Sequence, residues 1–143
     1  MLVQQILNSK DAGILTVKPG AKLSEVAAIL TERRIGGLVV SGDGKTPEGI
    51  ISERDIVRLL ARQGGNCLND NVEDVMTQKV EACGLQDTAD QVLQRMTDGR
   101  FRHMPVVQDG EMVGIVTIGD LVKARLSELS MEKDALEGMI MGH

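Results

Sequence analysis

The chain is written twice. Leu30-Thr31-Glu32-Arg33-Arg34-Ile35 aligns with Met96-Thr97-Asp98-Gly99-Arg100-Phe101 at an offset of 66, and the rest of each half falls into register with it. A unit of about 60 residues buries too little surface to be stable alone, so two copies must share their packing. Leu23, Val26, Ala27 and Leu30 in the first copy match Ala89, Val92, Leu93 and Met96 in the second. Both sets have the i, i+3, i+4, i+7 spacing of a helix with one buried face. Thr88 and Gln91 have capping-box spacing at the second helix start, whereas Lys22 stands at the matching position of the first.

The short apolar runs Leu38-Val39-Val40 and Met104-Pro105-Val106-Val107 lack helical period and are expected to be buried strands, with Pro105 at an edge or a strand start. Asp43-Gly44 and Asp109-Gly110 supply turn chemistry before second strands at Gly49–Ser52 and Gly114–Thr117, giving a hairpin in each half. One extra residue in the first hairpin changes the offset to 65 and aligns Ser52-Glu53-Arg54-Asp55 with Thr117-Ile118-Gly119-Asp120, each opening another helix. Ile56, Leu59 and Leu60 form the apolar stripe of one, ended by Gly64-Gly65; Leu121, Val122, Leu126 and Leu129 form that of the other. Ile14–Val17 and Val80–Cys83 are candidate first strands. The fold class expected is α/β (α+β), two β-α-β-β-α repeats packed about a pseudo-twofold axis. Repeat 1 spans 1–65, repeat 2 spans 66–128, Gln63 to Asn71 is the connector, and 129–143 is a tail with helical spacing.

Composition removes several function classes. Sixteen Lys+Arg against 21 Asp+Glu leave a net charge of −5, and Phe101 is the sole aromatic residue. A basic nucleic-acid surface and the stacking platforms of single-strand binders are both missing, so a bound base is expected to lie between aliphatic side chains and backbone. Cys67 and Cys83 show no C-x-x-C pattern, which makes the reducing cytoplasm the default compartment. No apolar run approaches the ~20 residues of a membrane span, and neither export nor a membrane anchor is expected. Two histidines, one of them His143, and no G-x-S-x-G, H-E-x-x-H or P-loop pattern give no catalytic constellation and no metal site. Asp11, Glu25, Glu48 and Glu73 read as solvated carboxylates.

The paired segments Ile35–Val40, Gly49–Asp55, Phe101–Val107 and Gly114–Asp120 resemble the CBS domain, named for cystathionine beta-synthase, and specifically a tandem CBS pair or Bateman module. The likeness spans nearly the whole chain. It implies regulatory binding of an adenosine nucleotide in clefts between the repeats, here by a stand-alone pair, with AMP the first ligand and ADP, ATP or NADH next. S-adenosyl compounds, lacking a phosphate, rank lower. It also implies that Arg102 and His103, just before a buried strand, meet the phosphate.

The chemistry of the S/T-x-x-D element stands on its own, and the resemblance implies the phosphate and adenine contacts given after it. Asp55 and Asp120 at helix starts can accept both hydroxyls of a ribose. Ser52 and Thr117 can donate to a phosphate that the helix N-terminus favours. The same S/T-x-x-D spacing is also a helix cap, and the two roles can coexist. Gly36 and Gly37 stand where Arg102 and His103 stand in the other repeat, so the sites are chemically unequal: Asp120 is expected to work with Arg102 and His103, and Asp55 with Arg54 or groups from the other repeat. Adenine contacts are assigned to Ile14, Thr16, Val80 and Ala82 on the first strands, to Ile50 and Ile115 as apolar walls, and to Gly36, Gly37 and Met104.

In the tail, Leu129, Leu136, Met139 and Ile140 have helical spacing, weakened by Gly138 and Gly142, and Met131, Met139 and Met141 add adaptable contact surface. A homodimer or an unidentified protein partner is the expected use, with simple packing of the tail on the protein's own module as the alternative. Two other readings stay open: a protein-interaction module without nucleotide sensing, and an enzyme with an unrecognised site.

Overall fold

The computed structural model describes residues 1–10 and 13–140; Asp11, Met141, Gly142 and His143 lie outside them. In chain order the elements are α1 (Val3–Asn8), β1 (Thr16–Val17), α2 (Leu23–Arg33), β2 (Gly37–Val40), β3 (Gly49–Ser52), α3 (Glu53–Gln63), a 3-10 turn (Gly64–Asn69), α4 (Val72–Val75), α5 (Ala89–Gly99), β4 (His103–Gln108), β5 (Glu111–Thr117) and α6 (Ile118–Ile140). The duplicated α2 and α5 bury the expected faces, Leu23, Val26 and Leu30 in one and Ala89, Val92 and Met96 in the other. The cap difference also holds: Thr88 and Gln91 close a capping box, and Lys22 makes no side-chain cap bond. Both helices end on an arginine in the left-handed region, Arg34 and Arg100.

The first sheet has the order β1-β2-β3, with β1 parallel to β2 (Thr16 opposite Val39) and β2 antiparallel to β3 (Gly37 opposite Ser52). The second is the antiparallel pair β4-β5, His103 opposite Thr117, joined by a two-residue turn in which Asp109 and Gly110 both have positive φ. The expected strand Val80–Cys83 reduces to one bridging residue: the Cys83 N–H donates to Pro105 O at 3.0 Å, and the Val107 N–H donates to Cys83 O at 2.8 Å. One step earlier the parallel ladder would need an N–H from Pro105, which has none, and Val80 to Ala82 leave the sheet. In the first half only Thr16 and Val17 of the proposed Ile14–Val17 strand pair, and Ile14 is left 43% exposed.

Two elements went unassigned in the sequence, and each completes the core of a repeat. Val3 and Ile6 of α1 are buried with Cys83, Val92, Met104, Val116 and Leu121 of the second repeat. The connector Gln63 to Asn71 contains the 3-10 turn and leads straight into α4, and together they bury Cys67 and Val72 against Leu23, Leu38 and Ile51 of the first. The docking bonds are reciprocal. Val3 N–H donates to Asp87 O (2.9 Å) and Ala89 N–H to Met1 O (2.8 Å); in the other half Val72 N–H donates to Ala21 O (2.7 Å) and Leu23 N–H to Asp70 O (3.0 Å). Residues 1–65 and 66–128 are thereby interlocked, with backbone bonds serving helix N-termini that have no other partners.

The last helix departs from its expected stripe. Leu121 and Ala124 are buried, while Val122, Leu126 and Leu129 stay at least 43% exposed. The tail continues α6 without a break to Ile140, and Gly138 does not end it. Replacing Ile6 by Ala should lower unfolding stability by about 2–4 kcal/mol, the range for deleting a buried aliphatic side chain. Urea denaturation checks this, and a change below about 0.5 kcal/mol, the usual size for surface substitutions, would show that α1 does not belong to the second core.

Candidate functional site

Both repeats start their second helix with the same closed box. Ser52 Oγ accepts the Asp55 N–H, while Asp55 Oδ2 accepts the Ser52 N–H (2.9 Å) and hydroxyl (3.0 Å). In the other repeat Thr117 Oγ1 accepts the Asp120 N–H (3.2 Å), and Asp120 Oδ2 accepts the Thr117 N–H (2.9 Å). Capping uses one carboxylate oxygen. Asp55 Oδ1 is left outside the box, 4.0 Å from Arg58 Nη1, and can accept from a ligand.

Beside Asp55 opens a cleft of about 450 Å³, within the range of small-molecule sites. The α3 start supplies Ser52, Glu53, Arg54, Asp55 and Arg58, the sheet supplies Gly36 and Ile50, and the segment after α4 supplies Thr77, Lys79, Val80 and Glu81. The far wall comes from the second repeat: Gly99, Arg100, Phe101, Arg102 and His103. Thr77 is fixed by two backbone bonds to Ile50, N–H to O in each direction at 2.9 and 3.0 Å, which carries Lys79 and Val80 past the β3 edge.

Several assignments from the sequence meet here and others do not. Asp55, Ser52, Arg54, Arg102, His103, Gly36, Ile50 and Val80 share the cleft. Arg102 and His103 therefore stand with Asp55, and the expectation that they serve Asp120 is corrected. Although His103 pairs with Thr117 in its own sheet, its ring crosses the interface and lies against Gly37, where an added Cβ would come within 2.9 Å of the ring's Cε1. The missing side chain at Gly37 gives the imidazole its place, so Gly37 contacts His103 rather than the cleft.

Thr117, Asp120 and Ile115 are not in this cleft. Asp120 Oδ2 is bound by Lys10 Nζ at 2.7 Å, and the same ammonium donates to Ile115 O at 3.0 Å. Met104 is fully buried core, Thr16 pairs with Val39, Ile14 is solvent-exposed, and Ala82 O accepts from Arg95 at 3.0 Å. None of these four takes a place in the cleft wall. Sequence reasoning missed Thr77, Lys79, Arg58, Arg100 and Phe101. Phe101 could have been found from its position beside Arg102; it lines a wall expected to be aliphatic and also packs against the core of the second repeat.

Burial pushes the His103 imidazole below its ordinary value near 6.5; Glu53 and Asp55 pull it back up and Arg102 pushes it further down, leaving it lowered and neutral at pH 7. Burial alone would raise Asp120, but the hydrogen bond and charge of Lys10 together with the Thr117 N–H outweigh it and hold the carboxyl below its ordinary value. Among the described residues, no group of three or more His, Cys, Asp or Glu side chains could hold a metal ion, and no helix is long and apolar enough to cross a membrane.

The family model for the CBS domain matches residues 5–62 and again 72–127. The chain belongs to the CBS-domain family. It is a CBS pair, a regulatory module of two repeats. It is 37% identical over 117 residues to the mitochondrial CBS domain-containing protein CBSX3 of Arabidopsis thaliana, covering 79% of this chain and 57% of that protein's length. A CBS-domain containing protein from Agrobacterium tumefaciens shares 40% identity and a TM-score of 0.83, over 87% of this chain and 99% of that one. A CBS domain protein from Pyrobaculum aerophilum, solved with AMP, is 26% identical with a TM-score of 0.76, over 92% and 99% of the two chains. The CBS pair of protein MJ0100, solved with 5′-methylthioadenosine and S-adenosyl-L-methionine, is 26% identical with a TM-score of 0.78, over 90% and 98%.

A histidine held neutral by the fold has a defined effect on stability. The unfolded chain takes up its His103 proton near pH 6.5 and the folded chain only at lower pH, so stability present above 6.5 is lost as the pH falls toward the folded value. The wild type should lose thermal midpoint between pH 7 and pH 5 by more than His103→Gln does. Parallel curves for the two proteins would contradict this placement of the ring.

Proposed function

We propose that this CBS pair binds an adenosine nucleotide, AMP first, in the cleft beside Asp55 and reports its level through a change in shape or partner contacts. One observation carries the reading. Arg54, Arg58, Lys79, Arg100 and Arg102 line the cleft against Glu53, Asp55 and Glu81, an excess of two positive charges, in a chain whose net charge is −5. A concentration of cations in an acidic protein selects an anion. Asp55 Oδ1 takes the ribose diol, Arg102 and Lys79 the phosphate, and Ile50, Val80 and Phe101 flank the base. AMP bound to the Pyrobaculum aerophilum protein supports the class of ligand.

The sulfonium of S-adenosylmethionine would add charge of the wrong sign, although MJ0100 holds that compound. ADP, ATP and NADH remain the next candidates, since Arg54, Arg58 and Arg100 also line the cleft and offer charge for a further phosphate. Binding transmits a signal only through different affinities for two states of the module. The Ser52 hydroxyl and the Asp55 carboxylate in the cleft are engaged with each other in the cap of α3, and we read the cleft as the site of a sensor and not of an enzyme. The buried free thiols of Cys67 and Cys83 suit a reducing compartment such as the cytoplasm.

A second copy of the chain is the proposed partner. Val57 on α3 and Leu126, Met131 and Leu136 on α6 are each about 60% exposed, apolar side chains of the kind that association covers. Truncation after Leu126 should shift sedimentation from dimer to monomer, and an unchanged dimer would remove the tail from that role.

Thermal unfolding tests the ligand. AMP at one hundred times its dissociation constant should stabilise the wild type by about 2.7 kcal/mol. Asp55→Ala should lose that response while its ligand-free stability falls by about 1 kcal/mol through the lost half of the capping box. If AMP, ADP, ATP and NADH all leave the wild-type midpoint unmoved, the nucleotide reading fails.

A further inference from the structure

The match to the CBS domain ends at residue 127, but α6 runs on to Ile140. From Ser130 to Ile140 no residue of this helix is buried. A helical stretch this short has little stability of its own, so an apolar face along it calls for a cover. The face has a definite period. Val122, Leu126, Leu129, Lys133, Leu136 and Ile140 follow one another at steps of four, three, four, three and four residues. That alternation is the a/d seam of a coiled coil, beginning at d, and it is narrower than the stripe of a helix lying on its own core. The five apolar members are between 43% and 82% exposed, whereas Leu121 and Ala124, which dock α6 on its module, lie on the other side of the helix.

Charge then selects the orientation of a second copy. In a parallel pair Lys133 would face its own counterpart in the seam, and Glu132 at g would face Glu137 at e of the other helix on both flanks. In an antiparallel pair centred at the level of Met131, Val122 meets Ile140, Leu126 meets Leu136, and Leu129 meets Lys133, so no two lysines oppose each other. Lys123 and Glu137, both at e, then lie across from each other twice, and Glu132 against its counterpart at the centre is the one like-charge contact. Arg125 is already engaged within its own chain by Asp90 and Glu128.

We propose that the exposed seam of α6 is covered by the same seam of a second copy running antiparallel, over about 27 Å at 1.5 Å per residue, with the two modules at opposite ends of the pair. This rests on the second-copy reading above and adds to it an orientation and a register.

Cysteine crosslinking of the full chain tests the orientation. Cys67 and Cys83 are buried, and the wild type serves as the blank. Leu126→Cys and Leu136→Cys, both at exposed positions, should each stay uncrosslinked alone under mild oxidation and should give a disulfide-linked dimer when co-expressed. A linked dimer within either single variant is the parallel arrangement and overturns the inference. Co-expressed variants that stay unlinked while the wild type sediments as a dimer overturn it too, because another face then holds the pair. A wild type that sediments as a monomer removes the second-copy reading itself. Charge exchange checks the register: Lys123→Glu should weaken the dimer roughly fivefold, the size expected from two exposed ion pairs, and Lys123→Glu/Glu137→Lys should recover most of that loss. Equal dissociation constants for all three proteins overturn the register.

Discussion

The structure depends on the exchange of helix starts between distant segments. Each repeat by itself has a short sheet and two helices and cannot close its core. The first is completed by α4 and the turn before it, and the second by α1 from the opposite end of the chain. In both, two N–H groups at the start of a helix are satisfied by backbone carbonyls of the segment docked beside it. Apolar burial supplies most of the driving force, and these bonds fix the register at which it occurs. Because α4 is tied down in this way, the residues after it run along the edge of β3 and become one wall of the cleft.

Duplication supplies the symmetry, and individual residues then break it. The capping boxes at Ser52 and Thr117 are nearly identical, so a helix start with an ionised carboxylate is present in both halves. Gly36 and Gly37 in one repeat answer Arg102 and His103 in the other. The absent side chains and the large ones meet across the interface, which concentrates the cationic groups of both repeats in one cleft. Lys10 adds the opposite effect on the other side by neutralising Asp120. The cleft beside Asp55 thereby gathers an excess of cations, while Asp120 is held by a single close lysine.

Much of this was legible in the sequence because it follows from local pattern. The periodic apolar faces of α2 and α5, the two hairpins and the S/T-x-x-D boxes each carry their signal within a few residues. What escaped is what depends on distant partners. Val3, Ile6 and Leu7 have the same spacing as Val72, Val75 and Met76, but helices this short have no stability of their own and show their role only when docked. The strand expected at Val80–Cys83 failed because of a missing N–H on Pro105, far away in sequence. The crossing of His103 to Gly37 could not be read from either residue alone. The exposed apolar residues of α6 repeat with a buried-looking period because sequence does not distinguish a core from a surface awaiting a partner.

The central claim is that one cleft joins the two repeats and takes the nucleotide. The most direct measurement is an amide NMR spectrum of the assigned protein recorded with increasing AMP. The largest shifts are expected at Gly36, Ser52 and Thr77 from one wall and at Phe101, Arg102 and His103 from the other, with Thr117 and Asp120 nearly still. Shifts confined to one repeat, or centred on Asp120, would contradict it.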